Sequence, residues 1–258
     1  MTVAKPEFQV KLASCQADLR SAQRLRYDVF VTELGGDGPF VDHTQKLEKD
    51  RFDPYFDHLL LLDVTRESEE QVVGVYRLLR DDQAARVGQF YSEDEYDLEI
   101  LRKYGRRLLE LGRSCVHAGY RGGMAMYELW SGLGQYVEEH GIEVLFGVAS
   151  FHGTDIDELA APLSLLHHRH LAPPELRVRA RSDKAQPMDL RPLAKIDRRA
   201  AMIATPALIK AYLRLGGFVG QDAWIDHNFN TTDVCLVMDT ARMNERQTAI
   251  YTGGRALR

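Results

Sequence analysis

At 258 residues, with 45% hydrophobic and 28% charged side chains, the chain can bury a full core and is too apolar to be disordered. Its formal charge of −5 supplies no global basic field, which excludes general nucleic-acid binding and leaves any anionic partner to a local patch. Three widely separated cysteines, Cys15, Cys115 and Cys235, exclude a disulfide framework or thiolate zinc site and indicate a reducing compartment.

The opening "MTVAKPEFQV" has no secretory apolar core, and the aliphatic run Leu59 to Leu62 is far shorter than a membrane span. A cytoplasmic protein is expected, with peripheral contact at the inner face of the membrane left open. From Gln16 to Thr32, Leu19, Ala22, Leu25, Val29 and Phe30 recur at spacings of three and four, predicting an amphipathic helix that Gly35 and Gly36 end. A loop-like stretch, "LEKDRFD" at 47–53, follows. Strands are predicted at 57–64, 71–80, 108–116, 143–150 and 233–239, and helices at 124–140, 154–170 and 206–215, the last stopping at Gly216-Gly217. This alternation is that of an α/β domain.

The segment 171–200 contains Pro173, Pro174, Pro187 and Pro192 without clear periodicity, and a long surface excursion is expected there. Between Glu175 and Arg199 it carries Arg177, Arg179, Arg181, Lys184, Arg191, Lys195, Arg198 and Arg199 against Glu175, Asp183, Asp189 and Asp197. Two readings stand: a solvated loop, or a dock for an acidic partner such as acyl carrier protein or anionic lipid headgroups.

Within the strand 108–116, Glu110 and Arg113 should face opposite sides. Gly112 between them marks a bulge that would turn both toward a cleft and expose a backbone N–H, a good oxyanion donor for a thioester carbonyl. The plainer reading is a structural ion pair. After this strand, "HAGYRGGMAMYELW" runs from a glycine turn into a helix, and backbone N–H groups at such a start attract phosphate.

These blocks, "RYDVF", "EKDRFD", "YRLL" and "ELGR", followed by strand, Arg-Gly-Gly turn, helix and strand, resemble the GNAT-superfamily N-acyltransferases. Over residues 20–153 and again over 212–239, the chain is similar to the bacterial ornithine N-alpha-acyltransferases that make lyso-ornithine lipid, and more distantly to the acyl-homoserine-lactone synthases. The resemblance implies a GNAT-like mixed twisted β-sheet with helices on both faces. It divides the chain into an acyltransferase core at 1–153 and an extension at 154–258 completing the same domain. It aligns Arg26, Phe30, Glu48, Asp50, Asp53, Arg77, Glu110 and Arg113 with positions lining the donor and acceptor cleft of the synthases. Two features depart from those synthases: no tryptophan lies between Phe30 and Asp50, and Gly112 stands where they carry a serine.

The phosphate turn departs as well. Arg121 is followed by Gly122, Gly123, Met124, Ala125 and Met126, so the fourth and sixth positions, glycine or alanine in acetyl-CoA enzymes, are methionines. A weakened pyrophosphate cradle suits phosphopantetheine on acyl carrier protein better than CoA. No separate cofactor is expected, and Arg121, Gly122 and Gly123 are the donor-binding candidates.

The implied reaction moves a 3-hydroxyacyl group to the α-amine of ornithine, whose pKa of about 8 leaves it roughly one-tenth neutral near pH 7. Glu110 is the candidate proton acceptor. Asp50 and Asp53 are assigned to a cationic acceptor side chain, and Arg26 or Arg77 to its carboxylate. Glutamine, glycine or homoserine as acceptor would reuse the same core, and a non-catalytic acyl-carrier or lipid-binding module is the alternative of another class. Other features are read as structural: His58 and Asp63 point to opposite faces of a strand, Cys115 is a buried thiol, and "HHRH" at 167–170 is a basic helix end, so no metal is expected. His117 remains a second candidate base.

Overall fold

The computed structural model describes residues 5–181, 184–227 and 229–243; Asp183 and the end of the expected extension lie outside them. In chain order the elements are β1 (Phe8–Leu12), α1 (Gln16–Arg26), β2 (Asp57–Asp63), β3 (Val72–Arg80), α2 (Asp81–Val87), β4 (Tyr96–Asp97), α3 (Glu99–Lys103), β5 (Leu108–Val116) and α4 (Ala125–His140). They continue with β6 (Val144–His152), α5 (Ile156–His170), β7 (Arg179–Ala180), β8 (Ala185–Gln186), α6 (Arg198–Ala204), α7 (Ala207–Arg214), β9 (Phe218–Val219), β10 (Ala223–Asp226) and β11 (Thr231–Asp239). The described residues form two compact units, one of 5–88 and 111–141, the other of 89–110 and 142–243.

In the first unit β1, β2 and β3 form an antiparallel set, with β5 beside β3. The run Leu59 to Leu62 is a strand covered on both faces, as continuous apolar strands are. Alternation sends Leu60 and Leu62 toward Ala22 and Leu25 of α1. It sends Leu59 and Leu61 the other way, under α4, where Ala125, Leu129, Leu133 and Val137 recur every four residues and are buried. Gly132 lets α4 approach β1, since a Cβ there would stand 2.5 Å from Val10 Cγ1.

The first predicted helix is split. Regular α-winding stops at Arg26, and Tyr27–Glu33 continues as a π-helix. Apolar spacing does not register that change of winding, because Val29 and Phe30 still reach the α1 core.

In the second unit, residues Leu108 to Glu110 of β5 run parallel to β6, which pairs antiparallel with β11. β10, then β8, extend that edge, and β9 also joins β11. The proline-bearing segment is not a bare surface excursion. Leu176, Val178 and Met188 are fully buried, β7 pairs with β4, and β8 with β10. Proline interrupts any regular apolar period without preventing burial of the residues between.

Candidate active site

Six charged side chains of the first unit close into a ring of alternating sign. Glu48 accepts from Arg26 Nε at 2.5 Å and from Arg113 Nε at 3.1 Å. Asp53 Oδ1 accepts from Arg26 Nη1 at 2.7 Å and from Arg77 Nη1 at 2.8 Å. Asp50 Oδ2 accepts from Arg77 Nη1 at 2.6 Å and lies 3.7 Å from Arg113 Nη2.

Local chain geometry holds these groups. Asp50 Oδ1 accepts from the N–H groups of Phe52 and Asp53, an Asx turn that fixes the "EKDRFD" loop. Gln23, one turn before Arg26 on α1, donates to Asp53 Oδ2 at 2.8 Å, and the Glu48 N–H donates to its carbonyl. Arg77 lies against the Phe56 ring with its guanidinium carbon 4.4 Å from the centroid. Arg113 adopts φ +49, so the expected irregularity of β5 falls at this residue. A Cβ at Gly112 would make only ordinary contact with Arg77 and Phe56, so the missing serine is not a steric necessity.

Burial divides the ring. The side chains of Arg26 and Arg77 are 0% exposed and those of Glu48 and Asp53 4%, whereas Asp50 retains 13% and Arg113 17%. Burial alone would raise the Glu48 carboxyl, yet Arg113, Arg26 and Arg77 outweigh it and hold the group down at about 2. At Asp53 burial is likewise outweighed, by Arg26 and Arg77, leaving it well below the usual carboxylate range. The assignment of Arg26 or Arg77 to a substrate carboxylate does not fit this geometry, because both guanidiniums are enclosed and answered by carboxylates. Asp53 is equally enclosed. The outward edge belongs to Asp50 and Arg113, with Phe30 5.9 Å from the Arg113 guanidinium carbon.

Glu110 differs from the expectation that the bulge turns it and Arg113 into one cleft. Within the second unit it is 1% exposed and accepts from the N–H groups of Tyr91 and Ser92 at 2.7 and 2.6 Å, and from the Ser92 hydroxyl. The parallel ladder of β5 with β6 ends at this residue, opposite Phe146.

In the glycine turn, Gly122 has φ +76, a conformation that favours glycine. Arg121 folds back, donating to the Val116 carbonyl at 2.9 Å and to Glu33 at 2.7 Å, and Gly123 leads into α4. His117 Nδ1 accepts from the Gly119 N–H, which leaves the ring proton of a neutral imidazole on Nε2.

The remaining singled-out residues separate. His58 Nε2 meets the Asp53 carbonyl, while Asp63 accepts from Tyr120, Thr65 and Glu7, so the two are not a dyad. Burial pushes the Cys115 thiol up to about 12. His167, His168 and Asp189 bring ligand-type atoms within 4.8 Å of one another, and His168 Nε2 also lies 2.9 Å from the Arg191 carbonyl. Sequence reasoning quoted Glu48 without giving it a role and missed Gln23 altogether. Only the helical spacing of Gln23 before Arg26 hinted that the two share a face.

A profile of the acetyltransferase (GNAT) domain matches residues 25–131, a stretch holding every member of the ring. The fold agrees with that of a solved CoA-dependent acyl-homoserine lactone synthase, BjaI, at 13% identity and a TM-score of 0.51, over 93% of this chain and 83% of that one. Profile and fold together define a GNAT-type domain, with the ring inside it. The L-ornithine N(alpha)-acyltransferase of Rhodobacter capsulatus is 57% identical over 98% of this chain and 97% of its own length. That of Brucella abortus is 41% identical over 95% and 88%. The chain belongs to the L-ornithine N(alpha)-acyltransferase family.

Proposed function

We propose that the chain passes a 3-hydroxyacyl group from the phosphopantetheine thiol of acyl carrier protein to the α-amine of ornithine, the acceptor named in its family, giving lyso-ornithine lipid. The observation that carries the acceptor reading is the edge of the ring. Asp50 and Arg113 present a carboxylate and a guanidinium side by side, matching the ammonium and carboxylate of an α-amino acid. The four enclosed members hold that pair in place, so little reorganisation is needed when substrate arrives.

Amide formation needs the neutral amine, and an α-amino group with a pKa of about 8 supplies roughly one-tenth of it at pH 7. The nitrogen attacks the thioester carbon, the thiolate leaves, and the nitrogen gives up its second proton. We assign that proton to solvent water, because Glu110 is enclosed and already accepts from the Tyr91 and Ser92 N–H groups and the Ser92 hydroxyl. On the donor side, Arg121 would exchange Glu33 for the single phosphodiester of phosphopantetheine, with the Gly122–Gly123 turn and the first amides of α4 beside it. The methionines in place of two small residues of the cradle favour this donor over CoA. No further cofactor takes part. The reaction is cytoplasmic, and its fatty product partitions into the bilayer, which calls for peripheral contact with the membrane.

A thiol-release assay with 3-hydroxyacyl carrier protein tests the reading, offering ornithine, glutamine or no amino acid and weighing the product. Release that depends on ornithine and yields N-acyl-ornithine is the expected result. Release with acyl-CoA but not with the carrier would overturn the donor assignment, and release with glutamine alone would overturn the acceptor.

A further inference from the structure

In the second unit, the chain from Leu190 to Gln221 carries six basic side chains, Arg191, Lys195, Arg198, Arg199, Lys210 and Arg214, against the single carboxylate of Asp197. That carboxylate caps α6, accepting from the N–H groups of Arg199 and Ala200 at 2.9 and 3.0 Å, so its charge is spent on the helix. The inner side of α6 is covered, with Ala201 and Met202 packing on Leu165 and Ile196. Its outer side is not. Ile203 is 69% exposed, more than any other large hydrophobic side chain among the described residues.

Arg199 precedes Ile203 by four residues and therefore shares its helical face. Lys210 of α7 reaches the same point, its Nζ donating to the Ile203 carbonyl at 3.4 Å. The neighbouring Ala200, Ala204 and Ala207 are small and exposed, so among the described residues of α6 and the start of α7 these neighbours leave Ile203 open to an approaching surface. The result is an apolar tip flanked by Arg199 and Lys210, with Arg198 and Lys195 exposed at and just ahead of the start of the helix.

We propose that this outer face of α6, with the start of α7, is the surface by which the protein rests on an anionic phospholipid bilayer. Basic side chains are drawn to acidic headgroups, and an isoleucine flanked by them gains by entering the interface. A bilayer needs no shaped groove to accept one such side chain, whereas a protein partner gains little from it without a complementary pocket. The inference rests on the fatty product of the proposed reaction for its purpose, since a surface of this kind would bring the enzyme to the phase its product enters. It takes the end of the basic region of the sequence, where Asp197 is engaged as a cap, and adds Lys210 beyond it.

Flotation of the full chain with vesicles tests it, using phosphatidylcholine alone and phosphatidylcholine mixed with phosphatidylglycerol. The protein is expected to float only with the mixed vesicles and to be released by added salt. The combined Arg198→Glu, Arg199→Glu, Ile203→Ser variant should bind them at least tenfold more weakly. As a check independent of that variant's folding, Ile203→Trp should show a blue shift of emission on adding mixed vesicles, beyond any change in the wild type. No flotation, equal flotation with phosphatidylcholine alone, undiminished binding by the triple variant or an unshifted emission spectrum of Ile203→Trp would each overturn the proposal. A triple variant that still floats but has a raised KM for acyl carrier protein would also overturn it, assigning the face to the carrier. Acyl transfer measured on the same samples keeps the two readings separate, because flotation can fail while ornithine is still acylated.

Discussion

His58 donates through Nε2 to the main-chain carbonyl of Asp53 at 3.0 Å, tying the start of β2 to the loop that carries Asp50 and Asp53. His58 is 4% exposed, and its Nδ1 is buried without a hydrogen-bond partner among the described residues. Replacing it with leucine leaves that carbonyl buried and unpaired, which should cost about 1–3 kcal/mol. His58→Gln can place an amide N–H near the same point and should recover much of the loss. Urea unfolding of the two variants decides the matter; a leucine variant as stable as the wild type would show that the bond holds nothing.

Acid should weaken the fold in two stages. Burial, with Arg26 and Arg77 nearby, lowers the His58 pKa below 6.5 despite the opposing pull of Asp53, so the unfolded chain takes up this proton first. Stability from His58 is therefore lost as pH falls below about 6.5. Glu48 is held at about 2 against an ordinary 4.5, and its contribution disappears as pH falls from 4.5 toward 2. Thermal melts across pH 8 to 3 should show melting temperature declining through both windows. A flat profile down to pH 5 in the wild type, matching His58→Gln, would remove the histidine stage.

Enclosed and outward members of the ring should respond differently. Asp53→Asn leaves two buried guanidiniums short of a charge partner and should cost about 3–5 kcal/mol of stability. Arg113→Ala acts at the partly exposed edge, where we expect a loss in kcat/KM for ornithine of about a hundredfold, typical of misplaced substrate, with a smaller change in stability. Unfolding and steady-state kinetics on the two proteins give the comparison, and equal effects on both quantities would refute the division.

Only Cys15 should react readily with a thiol reagent in the native protein. It is exposed, while Cys115 and Cys235 are buried and their thiols pushed up, Cys115 to about 12. Mass spectrometry should find one adduct in buffer and three in denaturant. Rapid native labelling of Cys115 would mean that the core beneath Arg26 opens.

Gly132→Ala should cost about 1–3 kcal/mol through the clash of its Cβ with Val10. Val10→Ala in the same chain should return part of that loss. Failure of the second change to help would place the strain elsewhere than at the contact of α4 with β1.

The strand and helix pattern was largely legible because Leu59 to Leu62, the β3 run and the every-fourth spacing of Leu129 and Leu133 each follow a simple burial period. The π-winding at 27–33 was not, since it leaves the apolar positions unchanged. Buried anchors at Leu176, Val178 and Met188 were hidden by the prolines around them. At the site, the residues were visible as motifs and their connections were not. Nothing in the spacing of Glu48, Asp50 and Asp53 tells that each carboxylate bridges two arginines, because the arginines come from α1, β3 and β5. The same gap explains why Glu110 read as a partner of Arg113: local strand geometry says nothing of the Tyr91 and Ser92 amides that meet it.

The alternating ring also bears on how the site responds to ionic strength. Three positive and three negative groups sum to zero, and four of the six are shut away from ions in solution. Salt that dissolves exposed pairs such as Arg66–Glu70 finds little to screen here. The ion pairs among Arg26, Arg77, Glu48 and Asp53, and the stability they contribute, should therefore change little between dilute buffer and brackish media.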